Sequence, residues 1–77
     1  MNQAILFNDD LVFNRNEDAW CFTVLLSGQS ITVYFHSIEL KQLSEISNCR
    51  KFDLEEIVEL WLENNEPEGN AIHIEMY

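Results

Sequence analysis

An α+β fold, an antiparallel sheet built on a central hairpin with two helices on one face, is the class this 77-residue sequence predicts, and three observations predict it. Residues from Trp20 to Phe35 alternate with period two on both sides of a glycine turn. After His36 the apolar spacing changes to a period near 3.6, and from Ala71 to Met76 it returns to alternation.

The hairpin, about residues 20–36, is organised by Gly28, which supplies the positive φ of a type II′ turn if Gly28 and Gln29 form a two-residue loop. That loop sets Leu26 opposite Ile31, Val24 opposite Val33 and Phe22 opposite Phe35 on one face, and Leu25 opposite Thr32, Thr23 opposite Tyr34 and Cys21 opposite His36 on the other. A slip of one residue would exchange the faces, so the alternation argues for register as well as for strand. Ahead of the hairpin, Ile5–Phe7 and Leu11–Phe13 are short apolar runs divided by the turn-forming Asn8-Asp9-Asp10, and the first of them is expected at the outside of the sheet.

Beyond His36, Ile38, Leu40, Leu43 and Ile46 form one stripe, which predicts a helix over 38–46 with Ser37 as its N-cap. Ser47–Lys51 has no pattern and reads as a loop. A second helix, 54–65, follows from Asp53 as N-cap, Glu56 as the reciprocal half of a capping box and Phe52 as a staple on Ile57. Its core face is expected to be Leu54, Ile57, Leu60 and Trp61, flanked by Val58 and Leu62, with Glu55, Glu56, Glu59 and Glu63 in water. Glu66-Pro67-Glu68-Gly69 stops it. The final strand, 71–76, turns Ile72, Ile74 and Met76 inward and His73, Glu75 and Tyr77 outward. Residues 1–77 form a single domain, without repeats or a linker.

Fourteen acids against four bases give a net charge of −10, which repels phosphate backbones and anionic lipid surfaces and favours a basic protein as partner. Eight of those acids (Asp53, Glu55, Glu56, Glu59, Glu63, Glu66, Glu68 and Glu75) follow Phe52, where no base occurs. Two cysteines do not make a secreted disulfide framework, no apolar run reaches the ~20 residues of a membrane span, and the first residues lack a secretory leader. A cytoplasmic protein is expected.

No chemical motif stands out. The serines lack a nucleophile-elbow setting, there is no glycine-rich phosphate loop, and no cofactor is implied. Cys21 and His36, if paired across strands, would be near enough to share a metal or to activate the thiol. Two ligands are too few for a structural zinc, and a partly buried Cys beside a surface His is the plainer reading. Glu55, Glu59 and Glu63 form a row along the second helix, either a solvated face or an attachment for a basic partner. The expected interaction residues are Thr23, Leu25, Thr32 and Tyr34 on the second hairpin face, for which so short a chain has no cover, together with Glu55, Glu59 and Glu63. The function these point to is a small acidic, non-enzymatic interaction or regulatory module. Its alternatives are a ligand or metal site at Cys21 and His36, or a structural homo-oligomer.

The opening Met1-Asn2-Gln3-Ala4-Ile5-Leu6-Phe7, the aromatic strand, glycine turn and strand from Ala19 to Tyr34, and the helix opening Phe52-Asp53-Leu54-Glu55-Glu56 together resemble a family of short bacterial proteins, the domain-of-unknown-function 1488 family. The resemblance covers most of the chain and implies a small α+β fold and bacterial origin. It carries no activity and no site residue over.

Overall fold

The computed structural model describes residues 5–76, so the expectations for Met1–Ala4 and Tyr77 lie outside the described residues. Strands β1 (Ile5–Phe7), β2 (Val12–Asn14), β3 (Ala19–Leu26) and β4 (Gln29–His36) are followed by helices α1 (Ile38–Lys41) and α2 (Asn48–Asn64) and by strand β5 (Ala71–Glu75). The α+β class holds, with sheet order β1-β3-β4-β5 and β2 also on β3. All pairings between these strands are antiparallel except β4–β5, which runs parallel from Thr32 beside Ala71 to His36 beside Glu75. The two helices make that crossover, carrying the chain back to the starting end of β4.

The hairpin turn falls one residue earlier than the glycine alone suggests. Ser27 and Gly28 both have positive φ, 52° and 84°, the signature of a type I′ turn. The pairing is therefore Trp20 with Phe35, Phe22 with Val33 and Val24 with Ile31 on one face, and Cys21 with Tyr34, Thr23 with Thr32 and Leu25 with Ser30 on the other. This is a shift of two residues from the expected register. A two-residue shift keeps every side chain on its own face, so alternation cannot detect it.

β1 and β2 are two pieces of one edge strand. Phe7 pairs with Val24 and Val12 with Cys21, so the four residues Asn8–Leu11 stand opposite only Phe22 and Thr23. Asp10 repairs the ladder in this bulge: its carboxylate accepts the Thr23 backbone N–H at 2.9 Å and the Thr23 hydroxyl at 2.5 Å. Asn8 donates its backbone N–H to the Thr23 carbonyl at 3.1 Å and its side-chain amide to the Thr23 hydroxyl oxygen at 2.8 Å.

The core lies between one sheet face and the helices. Trp20, Phe22, Val24, Leu26, Ile31, Val33, Phe35, Ile72 and Ile74 meet Leu40 of α1 and Leu54 and Val58 of α2. The Phe22 ring packs edge-on against Phe7 at 5.9 Å and Phe35 at 5.2 Å. The Trp20 indole donates to the Leu40 carbonyl at 2.8 Å, fixing α1 over the end of β3.

Both helices depart from expectation. α1 is a single turn capped by Ser37, and Leu43 and Ile46 lie beyond it. The reason is a second cap: Ser47 is extended, its hydroxyl accepts the Arg50 N–H, and α2 therefore starts at Asn48, through the stretch expected to be a loop. The Asp53 capping box and the Phe52 staple do not form, since both residues are interior to α2 and Phe52 is 63% exposed. The inward stripe of α2 is rotated by roughly 60° from the predicted one, with Val58 fully buried and Leu60 53% exposed. Trp61 and Leu62 are both half-buried against the core.

The earlier start of α2 gives Lys51 two carboxylate partners, Asp9 at 2.9 Å and Glu55 at 3.6 Å. The hydrogen bond from Lys51, with its charge, holds the Asp9 carboxyl below its ordinary value, and the same bond to Asp9 raises the Lys51 amine. A lowered acid stabilises the fold above its unfolded pKa and loses that contribution as pH falls through the folded one. A raised amine stabilises below its unfolded pKa and loses it as pH rises. The pair therefore contributes between about pH 4 and pH 10. Lys51→Met should lower the Tm at pH 7 and low salt, and the difference from the wild type should shrink at pH 3, at pH 11 and in 1 M salt. A difference independent of pH would assign it to lost packing of the lysine stem.

Candidate interaction surfaces

The sheet face away from the helices is built by the alternate residues of every strand. Register places Leu6 beside Leu25, Val12 beside Cys21, Cys21 beside Tyr34, Thr32 beside Ala71 and Tyr34 beside His73. The helical contributions to the core, Leu40, Leu54 and Val58, lie on the other side, and α1 borders this one at the His36 corner through Ile38 and Lys41. Leu25, Thr32 and Tyr34 are half-buried, while Leu6 and Val12 at the edge are 60% and 56% exposed. Thr23 shares the face, but both its N–H and its hydroxyl are taken by Asp10, so it offers little to a partner.

At one corner of the face, His36 Nε2 and His73 Nδ1 are 2.9 Å apart, with ring planes inclined by 15° and centroids 5.2 Å apart. The centroid separation is about the N···N distance plus two ring radii, so the imidazoles meet edge to edge in nearly one plane at hydrogen-bonding distance. Tyr34 lies parallel to His73 at 4.9 Å, close to the spacing of neighbouring strands. Glu17 approaches His73 Nδ1 only to 3.9 Å.

Cys21 and His36 are not cross-strand partners, because the two-residue shift puts Tyr34 opposite Cys21. Burial, and then the nearby Asp10 charge, push the Cys21 thiol up, away from the reactive thiolate. Among the described residues no three His, Cys, Asp or Glu side chains are arranged to hold a metal. A hollow of about 230 Å³ lies beside His36, lined also by Glu17, Asp18, Lys41 and Glu75. That volume is below the range usual for small-molecule pockets. Cys49 is exposed in the first turn of α2.

The second surface is the outward side of α2. At 100° per residue, Phe52, Asp53, Glu56, Glu59, Leu60 and Glu63 fall in one sector of about 120°. All six are exposed. Glu55, expected in this row with Glu59 and Glu63, is instead half-buried beside Lys51. Three of the four bases are engaged elsewhere, Lys41 with Asp18, Arg50 with Glu39, and Lys51 with Asp9 and Glu55. The outward sector therefore presents two large apolar side chains set among four carboxylates and no cation.

Periodicity and capping rules send Phe52 to a staple, Leu60 to the core and Asp10 to a turn, so the surface positions of the first two and the ladder-repairing role of the third are additions of the structure. The one signal in the sequence is that Asn8-Asp9-Asp10-Leu11 is longer than a continuous edge strand allows. No helix among the described residues is long and apolar enough to cross a membrane. No protein-family model, curated protein or solved structure matches the chain.

Proposed function

We propose that this chain is a non-enzymatic interaction module that holds a basic protein partner against the outward side of α2. The observation that supports this reading is the pair Phe52 and Leu60, exposed at 63% and 53% within a base-free acidic sector. A face that served only solvation would carry polar side chains at these positions. Apolar anchors rimmed by charge of one sign suit a cationic partner, the charges steering encounter and the anchors holding the complex. A reducing, cytoplasmic setting fits the two free thiols, and the reading needs no cofactor.

The test is affinity capture on immobilised purified chain at 50 mM salt, run beside a Glu56→Gln, Glu59→Gln, Glu63→Gln variant and a Phe52→Ser, Leu60→Ser variant. A bound basic protein retained by the wild type, lost from both variants and released by 0.3 M salt is the expected result. Equal retention on all three columns would sink the reading.

A further inference from the structure

We propose that the hollow between the edge-strand bulge and the start of α2 binds a small molecule with a flat apolar body and a protonated amine. This inference is independent of docking on α2, whose anchors Phe52 and Leu60 lie outside the hollow.

The bulge takes Asp9 and Leu11 out of the β3 ladder, and the cap at Ser47 leaves residues 42–46 as a short connector facing them. A cavity of about 490 Å³ stays open between these two segments. It is about twice the hollow at His36 and falls within the ~300–1,000 Å³ usual for small-molecule sites. Leu11, Phe13 and Ile46 line it and are half-buried, each packing on the core with one side and showing apolar surface to the cavity with the other. Trp20 also lines it, and its ring meets that of Phe13 edge to face, at 5.7 Å and 73°. Because the Trp20 indole is held by the Leu40 carbonyl, this aromatic wall is fixed before any ligand arrives. A flat ring entering the cavity finds a ring face and a ring edge to pack on.

Charge selects the class of ligand. Asp9 and Glu45 line the cavity from its solvent side, and both are exposed. The lining base, Lys51, is already matched by Asp9 at 2.9 Å and Glu55 at 3.6 Å. Three carboxylates against one ammonium leave this end of the cavity negative, in a chain whose net charge is −10. A carboxylate or a phosphate is repelled there, whereas an ammonium is drawn in. Glu45 has no basic partner among the described residues, so it can take a ligand's amine without giving up an ion pair. The apolar wall and the acidic rim thus call for an apolar body and a cationic end in one molecule.

Titration of the chain with tryptamine, tryptophol and indole-3-propionate, followed by NMR at pH 7 and 50 mM salt, decides it. The three probes carry an amine, a hydroxyl and a carboxylate on one indole body. Tryptamine should bind with a Kd of about 1 mM or tighter, the level its size allows. It should exceed tryptophol by about 3-fold to 5-fold, the strength of an exposed ion pair, with indole-3-propionate the weakest. Shifts should move at Leu11, Phe13, Ile46 and the Trp20 indole N–H and stay fixed at Phe52 and Leu60. Glu45→Gln should bring tryptamine close to tryptophol and leave tryptophol unchanged. Ser44→Trp, at an exposed lining position, should fill the cavity and weaken all three probes at least about 10-fold. Phe52→Ser with Leu60→Ser, which abolishes docking on α2, should bind tryptamine as the wild type does. Should Ser44→Trp fail to fold, the shift map of the wild type decides alone. No binding of tryptamine at 5 mM, equal affinity for the three probes, undiminished binding by a folded Ser44→Trp variant, or shifts centred on Phe52 and Leu60 would overturn the proposal.

Discussion

Replacing Phe22 by alanine should lower the unfolding free energy by about 3–5 kcal/mol, the range for removing a buried aromatic ring and leaving its cavity. For a domain of this length the whole stability is on the order of 4–12 kcal/mol, so the variant should be close to unfolded at 37 °C. Phe22 is almost fully buried at the centre of β3 and touches Phe7 from the edge strand and Phe35 from β4. Its loss therefore loosens three strands together. Urea denaturation followed by tryptophan fluorescence measures the effect. Phe52→Ala is the matched control: the same deletion on the exposed side of α2 should stay within about 0.5 kcal/mol. Equal losses at the two positions would mean that Phe52 staples the helix after all.

Asp10→Ala should cost about 1 kcal/mol, in the range for an exposed hydrogen-bonded carboxylate whose donors water can then take up. The Asp10 carboxylate stands in for the backbone carbonyl that the bulge withdraws from β3, and it holds both donors of Thr23. The loss should be local as well as global. The Thr23 amide should exchange with solvent at least ~10-fold faster, while amides of the β3–β4 ladder such as Val33 follow the overall stability alone. Asp10→Asn keeps one acceptor oxygen and should recover part of the difference. Unchanged exchange at Thr23 would show that the β1–β3 and β2–β3 pairings hold the bulge without Asp10.

How much of the fold is legible in the sequence follows the period of each signal. Strand alternation has period two, so the two faces of the hairpin are readable, with Phe22, Val24, Leu26, Ile31, Val33 and Phe35 inward and Leu25, Thr32 and Tyr34 outward. Register is a finer quantity, and the same alternation is satisfied by turns at Ser27-Gly28 and at Gly28-Gln29. What decides is the twist of the turn, which favours positive φ at both central residues and accepts Ser27 at 52°. For α2 the difficulty is competition between caps. Asp53 with Glu56 is the better local motif, but capping at Ser47 starts the helix at Asn48 instead of Leu54, more than a full turn earlier, and brings Lys51 to Asp9 and Glu55. An apolar residue at nearly every second position then leaves the inward direction undetermined until tertiary packing chooses Val58 over Leu60. The open sheet face is therefore foreseeable as a candidate surface, whereas the Phe52 and Leu60 anchors are not. The Cys21 and His36 pair depends on register and is lost with it.

The parallel return of β5 sets an order of assembly during synthesis. Ile72 and Ile74 supply one side of the core, yet they are made after every other described element. Until residue 75 has emerged from the ribosome, β4 is an unpaired edge with Val33 and Phe35 incompletely covered. A nascent chain in that condition can recruit any passing strand. A chain truncated near Asn65 would thus expose the β4 edge that β5 otherwise covers.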